Sequence, residues 1–156
     1  MEGMYKAIDV ARYFLHKNEM SQKKLHKLLF YAYAWYLYEN NDADNLEKRL
    51  FVSNNPIHGF QAWVHGPVFR ELYPVYADYG FRPIYNRNDN SDLFSEDDRE
   101  FLDEIYEIYG KYSADQLENM SHTCSSWQKA RAGLGPYDAC SNLLKDEDIY
   151  HDIEAM

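Results

Sequence analysis

The stretch KLLFYAYAWYLY, Lys27 to Tyr38, is apolar or aromatic at every position after its lysine. A helix apolar on every face is normally one surrounded by other elements or by lipid. Length separates the two cases: Leu28 to Tyr38 is eleven residues, and a spanning helix needs about 20. Lys23, Lys24 and Lys27 flank the run on one side and Glu39 on the other. Met1 to Leu15 carries Glu2, Lys6, Asp9 and Arg12 where the apolar core of a secretory signal would lie. The expectation is a soluble, cytoplasmic protein whose helix over about 21–40, capped by Ser21, is its central post. Trp35 is expected to be buried in that post. Tyr31, Tyr33, Tyr36 and Tyr38 bring hydroxyls that need partners when buried, so the core should be stitched by side-chain hydrogen bonds.

Working outward, residues 5–16 carry one apolar stripe through Ala7, Ile8, Ala11, Phe14 and Leu15 and predict a first helix. In the post's first turns Leu25, Leu28 and Leu29 oppose Lys23, Lys24 and Lys27. Leu50–Val52 reads as a short strand after a loop, closed by the turn Ser53-Asn54-Asn55-Pro56. The alternation of Phe60, Ala62 and Val64 predicts a second strand. Pro67 suits the first position of a helix, so a helix is expected through Val68, Leu72, Tyr76 and Tyr79, kinked at Pro74 and ended by Gly80. Ser95 with Asp98, and Ser113 with Gln116, read as capping boxes opening two more helices. Short helices are expected around Trp127, Ala130 and Arg131 and over 146–153. The fold class is therefore mainly α: six to seven helices around a central hydrophobic helix, with a small β-hairpin near 50–65. At 156 residues this is one domain, 1–156, able to fold without disulfide or metal.

Charge narrows the function classes. The net charge of −10 argues against direct nucleic-acid binding, whose affinity comes largely from Lys and Arg on phosphates. Residues 1–38 carry six Lys or Arg against three acids, so the remainder is strongly acidic. Asp89 to Glu104 is the densest block. Cys124 and Cys140 are too few for a disulfide framework, in keeping with a reducing compartment. No two of His16, His26, His58, His65, His122 and His151 are spaced HxxxH, and no CxxC occurs, so no metal is expected. Nucleophile and phosphate-loop motifs are absent too, and no other cofactor is expected. The one enzyme reading left rests on His122 with Cys124, or on buried carboxylates.

Two segments are over-specified for plain packing: Lys24-Leu25-His26-Lys27-Leu28-Leu29-Phe30-Tyr31, and Ala62-Trp63-Val64-His65-Gly66-Pro67-Val68 with Tyr73 after it. A third, Ser121-His122 with Trp127 and Ala130, follows. In this order the three resemble the Panacea domain of SocA-like and GepA-like antitoxins, over about residues 4–132. The matching positions are Lys24, Leu25, Lys27, Leu28 and Tyr31, then Ala62, Trp63, Gly66, Pro67, Val68 and Tyr73, then His122 and Trp127. Three positions depart from the pattern: His26 where glutamine is usual, His65 where tyrosine is common, and Ser126 where proline precedes the tryptophan. The resemblance implies a stand-alone, bacterial or phage-borne antitoxin that binds a protein toxin encoded by a neighbouring gene. Some such domains also deliver the toxin to a protease. Neither direct nucleic-acid nor membrane binding is expected. The partner-contact candidates are Lys24, Lys27, Gly66 and Pro67, with Asp97, Asp98 and Glu100 of the acidic block as steering charges. A regulatory adaptor without a toxin is a third reading.

Overall fold

The computed structural model describes residues 3–55 and 59–156, so His58 and the turn's Pro56 lie outside the described residues. Seven α-helices and one hairpin are present among the described residues. In chain order they are α1 (Ala7–Lys17), α2 (Gln22–Asn40), β1 (Phe60–Trp63), β2 (Gly66–Phe69), α3 (Tyr73–Tyr76), α4 (Glu96–Tyr109), α5 (Ala114–His122), α6 (Ser125–Ala130) and α7 (Asp146–Glu154). None of the described helices is long and apolar enough to cross a membrane.

Helix α2 is the post. Ser21 caps it by accepting the Lys24 N–H, and α1, α4, α5, α7 and β2 all pack against it. Leu25, Leu28, Leu29, Phe30, Ala32, Ala34 and Leu37 are fully buried. Of the post's tyrosines, Tyr33 stitches the core by a hydrogen bond and Tyr31 packs there by stacking. The Tyr33 hydroxyl donates to Asp146 at 2.7 Å, and Tyr31 stacks on Tyr109 with centroids 4.2 Å apart. Trp35 is only half-buried, its indole N–H donating 2.7 Å to the Tyr109 hydroxyl at the end of α4. The post's basic face also departs from expectation. Lys27 is not opposed to the core but inside it, at 1% exposure, alongside buried Gln22 and His26. With helices on nearly every side, no solvated stripe survives that far along α2.

The hairpin sits later in the chain than the sequence pattern suggests. Leu50 to Val52 forms no strand; Leu50 and Phe51 are core residues in a loop, and the Tyr5 N–H bonds the Leu50 carbonyl. The two strands are β1 and β2, antiparallel, with Ala62 opposite Pro67 and Trp63 opposite Gly66. The helix expected from Pro67 is therefore a strand. Its i, i+4 spacing misleads because Val68 is buried as a strand residue and the chain turns helical only at Tyr73. Proline is tolerated in β2 because Ala62 and Pro67 form a pair without mutual hydrogen bonds: the Ala62 N–H points away, to the Asn142 carbonyl at 2.9 Å. Pro74 falls in the first turn of α3 and kinks nothing.

One capping box is complete and one is not. Ser113 and Gln116 bond reciprocally at the start of α5. At α4 the Ser95 hydroxyl accepts the Asp98 N–H, but the Asp98 carboxylate turns aside to the Tyr5 hydroxyl.

Candidate functional site: a hairpin clamped by side chains, and the groove beside it

The hairpin's outward-facing backbone groups are met by side chains from three helices, α2, α5 and α6 with the residue that ends it. On the β2 edge, the Phe69 N–H donates to His26 Nδ1 at 3.0 Å, and the Lys27 ammonium donates to the Pro67 carbonyl at 3.0 Å. On the β1 side and the turn, Arg131 donates to the Ala62 carbonyl at 2.8 Å. The Trp127 indole donates to the Trp63 carbonyl at 2.8 Å, and His122 Nε2 to the Val64 carbonyl at 2.9 Å. His122 stacks on Trp127, with ring centroids 4.2 Å apart, and the Arg131 guanidinium lies over the same indole. Residues 142–144 add main-chain bonds to Phe60 and Ala62, a rudimentary third strand. Both edges of the hairpin are thus taken, which closes them to strand addition by another chain.

Gly66 is why the clamp can close. Its φ is +104°, a region that side chains rarely adopt. A Cβ there would sit 2.5 Å from Ser121 Oγ and 2.7 Å from Lys27 Cε. The Gly-Pro pair therefore supplies a backbone slim enough to lie between α2 and α5, and a carbonyl for Lys27.

Burial sets the protonation of the clamp. His26 Nδ1 accepts a hydrogen bond, so its ring is neutral with the proton on Nε2, 3.4 Å from Gln22 Oε1. Loss of solvation, helped by the Lys27 charge, lowers its pKa to about 3. Burial and the Lys23 charge lower Lys27 to about 7, with Glu118 opposing. Glu118 is the local counter-charge. Burial alone would raise its carboxyl, but Lys23 at 2.5 Å and His65 at 3.1 Å hold it below the ordinary value. Asp115 also pairs with Lys23, at 2.6 Å.

Most of the residues singled out in the sequence meet here: Lys27, Ala62, Trp63, Gly66, Pro67, Val68, Tyr73, His122 and Trp127. Tyr73 packs its ring 4.8 Å from Trp63. Leu25, Leu28 and Tyr31 lie in the core behind them. Lys24 is elsewhere, its ammonium 2.6 Å from the Gly110 carbonyl at the end of α4. Asp97, Asp98 and Glu100 lie at the start of α4 and take no part in the clamp; Asp97 and Glu100 are exposed and Asp98 half-buried. Sequence reasoning gave no role to His26 or Arg131. For Arg131 the signal was present, since Trp127 and Arg131 are spaced i, i+4 and meet on one helix face.

A family model described as "Antitoxin SocA-like, Panacea domain" matches residues 25–128, two thirds of the chain. The chain belongs to that family. No curated protein and no solved structure matches it. The matched span contains every clamp residue except Arg131 and the 142–144 segment, so in this member the Panacea motif largely comprises the hairpin itself, three of the side chains that hold it (Lys27, His122 and Trp127) and the core behind it. His26 stands where the family usually has glutamine, and a glutamine side-chain oxygen could accept the same Phe69 N–H.

The His122 and Cys124 pair is poorly placed for chemistry. Cys124 is buried, and burial with the Asp152 charge pushes its thiol up to about 12, so no thiolate nucleophile forms near neutral pH. His122 has its Nε2 on a carbonyl and its ring face on Trp127.

Beside the clamp lies an open groove of about 930 Å³, bounded by α2, the hairpin, α3, Phe81, Tyr137 and residues 139–141. Phe81 and Tyr137 stand at 94% and 88% exposure on its lining.

Proposed function

We propose that this Panacea-domain protein is a cytoplasmic antitoxin that neutralises a protein toxin by direct binding. The family match over residues 25–128 carries the reading. The architecture supports it: the motif residues are engaged in holding backbone rather than aimed at a reaction centre. What the clamp leaves exposed is surface suited to a partner, an aromatic-lipped groove and an acidic helix. Large exposed aromatics are the residue type enriched at protein interfaces. Delivery of the bound toxin to a protease is a further role open to the same surface.

The test is co-expression with the gene adjoining its own. Cells carrying that gene alone should stop growing and should be rescued by the full chain, with the two products purifying together. A neighbouring product without toxicity, or rescue without a complex, would overturn the reading. Rescue accompanied by disappearance of the toxin, and dependent on a host protease, would identify the adaptor route.

A further inference from the structure

The groove carries an electrostatic signature at odds with the rest of the molecule. The chain has 26 acidic residues and a net charge of −10, yet among the described residues no Asp or Glu lines the groove, while Lys23, Lys27 and Arg70 do. These three cations are not equivalent. Lys23 is already neutralised by Asp115 and Glu118 outside the groove, and Glu118 also holds His65. Lys27 lies under the floor with a single acceptor, the Pro67 carbonyl, although an ammonium has three donors. Arg70, half-buried in the wall, has no side-chain partner among the described residues. Around these cations the surface is apolar: Trp63, Val68 and Tyr73 on the hairpin side, Phe81 and Tyr137 on the rim.

We propose that the groove receives an extended segment of the partner toxin that presents a carboxylate beside an aromatic or branched apolar side chain. The inference rests on the antitoxin reading and names its contact surface. A basic segment would be repelled by Arg70, and by Lys27 below it in its protonated form. A purely apolar one would cover Arg70 and leave a guanidinium desolvated without an anion, which is costly. A carboxylate answers both, since the guanidinium fork binds it bidentately. The segment does not add as a strand, because both hairpin edges are occupied. It is held by side chains, with Phe81 and Tyr137 closing over its apolar residue.

Two measurements test this with the full chain and the adjoining gene's product. In the first, Arg70→Glu and the rim variant Phe81→Ser/Tyr137→Ser are compared with wild type for toxin affinity and for rescue of growth. Phe81 and Tyr137 are almost fully exposed and the half-buried Arg70 has no side-chain partner to lose among the described residues, so folding should be retained, as circular dichroism would verify. Each variant should weaken binding about tenfold or more, the scale expected for a desolvated charge contact or a central aromatic anchor. In the second, overlapping short peptides covering the toxin are screened against the full chain. The binding peptide should contain Asp or Glu next to an aromatic or branched residue. It should protect Cys140, which lines the groove, from maleimide, and its Asp/Glu→Lys version should bind Arg70→Glu better than wild type. If rescue and affinity survive all groove variants, or Cys140 stays reactive in the complex, the groove proposal falls while the antitoxin reading stands. If the adjoining product is no toxin, both fall. A chain that dimerises until Tyr137→Ser is introduced would show the groove covered by a second copy instead, which also overturns the proposal.

Discussion

The clamped hairpin and helix α4 both pack on α2 and use it in opposite ways. Around the hairpin, five side chains reach for main-chain groups, and three of them are cationic or imidazole groups buried to do so. On α4 the inner stripe, Leu102, Ile105 and Tyr109, is ordinary apolar packing. Its outer surface carries Glu96, Asp97, Glu100 and Glu104 in solvent. The first region is over-determined, because each residue there is fixed by the geometry of another. The second is determined on one face, where Asp98 and Asp103 also hold tyrosine hydroxyls, while the charges of its outer face bind nothing among the described residues. In this chain that divides the family motif, which builds, from the acidic block, which faces outward.

The sharpest break would come at Gly66. Gly66→Val puts a branched side chain at φ +104° and drives its Cβ into Ser121 and Lys27. The strain and overpacking together should cost about 3–5 kcal/mol, read as a lowered urea midpoint. Toxin binding should fall with it. A variant as stable as wild type would mean that the hairpin can leave α2 without loss, and the clamp would lose its role as the organiser of the fold.

Acid should find the clamp before it finds α4. His26 is lowered to about 3 in the fold from an ordinary 6.5. Between those values the unfolded chain binds the extra proton, so stability drops as pH falls through that window. At pH 4.5 the loss should be about 2–3 kcal/mol from this residue alone. His26→Gln, the family's usual residue, keeps an acceptor for the Phe69 N–H and removes the titration. Its stability should fall less than wild type between pH 6.5 and 4.5. Identical acid profiles would show that the ring is protonated in the fold, with the Phe69 bond already lost. Lys27 works with the same sign at the other end: stability should rise with pH from about 7 towards its ordinary 10.5.

Much of this was legible in the sequence, and unevenly. The post was plain, because a run apolar on every face has few soluble uses. So was the need for tyrosine partners. The Gly66-Pro67 corner was visible as a constraint but was read as a helix start, since Val68, Leu72 and Tyr76 happen to keep helical spacing. Only the pairing with Phe60 to Trp63 reveals a strand, and pairing is long-range information. Lys27 was misplaced for a related reason. Its neighbours Lys23 and Lys24 do reach outward ion-pair or helix-end partners, and nothing local marks the third lysine as different. Its acceptor, Pro67, is forty residues away. The groove was not legible at all, because Phe81, Arg70 and Tyr137 share no motif and meet only in the fold.

A smaller effect is expected where α4 meets the post. Trp35 is half-buried, with its indole on the Tyr109 hydroxyl. Trp35→Ala should therefore cost about 2–3 kcal/mol, below the range for a fully enclosed tryptophan. Trp35→Phe, which keeps most of the packing and drops the bond, should cost about 1 kcal/mol. Thermal unfolding of the pair separates the two contributions. A loss for Trp35→Ala as large as that for Gly66→Val would place this seam on the same footing as the hairpin and dissolve the contrast between the regions.

The least effect on folding, and the clearest on association, should come from the outer face of α4. Glu96, Asp97 and Glu100 are exposed and make no side-chain hydrogen bond or ion pair among the described residues, whereas Asp98 and Asp103 hold tyrosine hydroxyls and are better left alone. Reversing Glu96, Asp97 and Glu100 to lysine removes favourable charge from the helix's positive end, which should cost no more than about 1–2 kcal/mol. If the toxin is basic, the wild-type face raises the encounter rate without touching the final interface, since steering acts on association. The triple reversal should then slow association strongly at low salt and leave dissociation nearly unchanged. The difference should shrink as salt rises and the screening length falls from about 10 Å at 0.1 M to about 3 Å at 1 M. Groove variants should show the reverse pattern, with faster dissociation at every salt concentration. Rates that ignore the α4 reversal at low salt would make this face a solvated helix surface and nothing more. A reversal that instead speeds dissociation would move the interface itself onto α4, and the division of labour between the two regions would have to be redrawn.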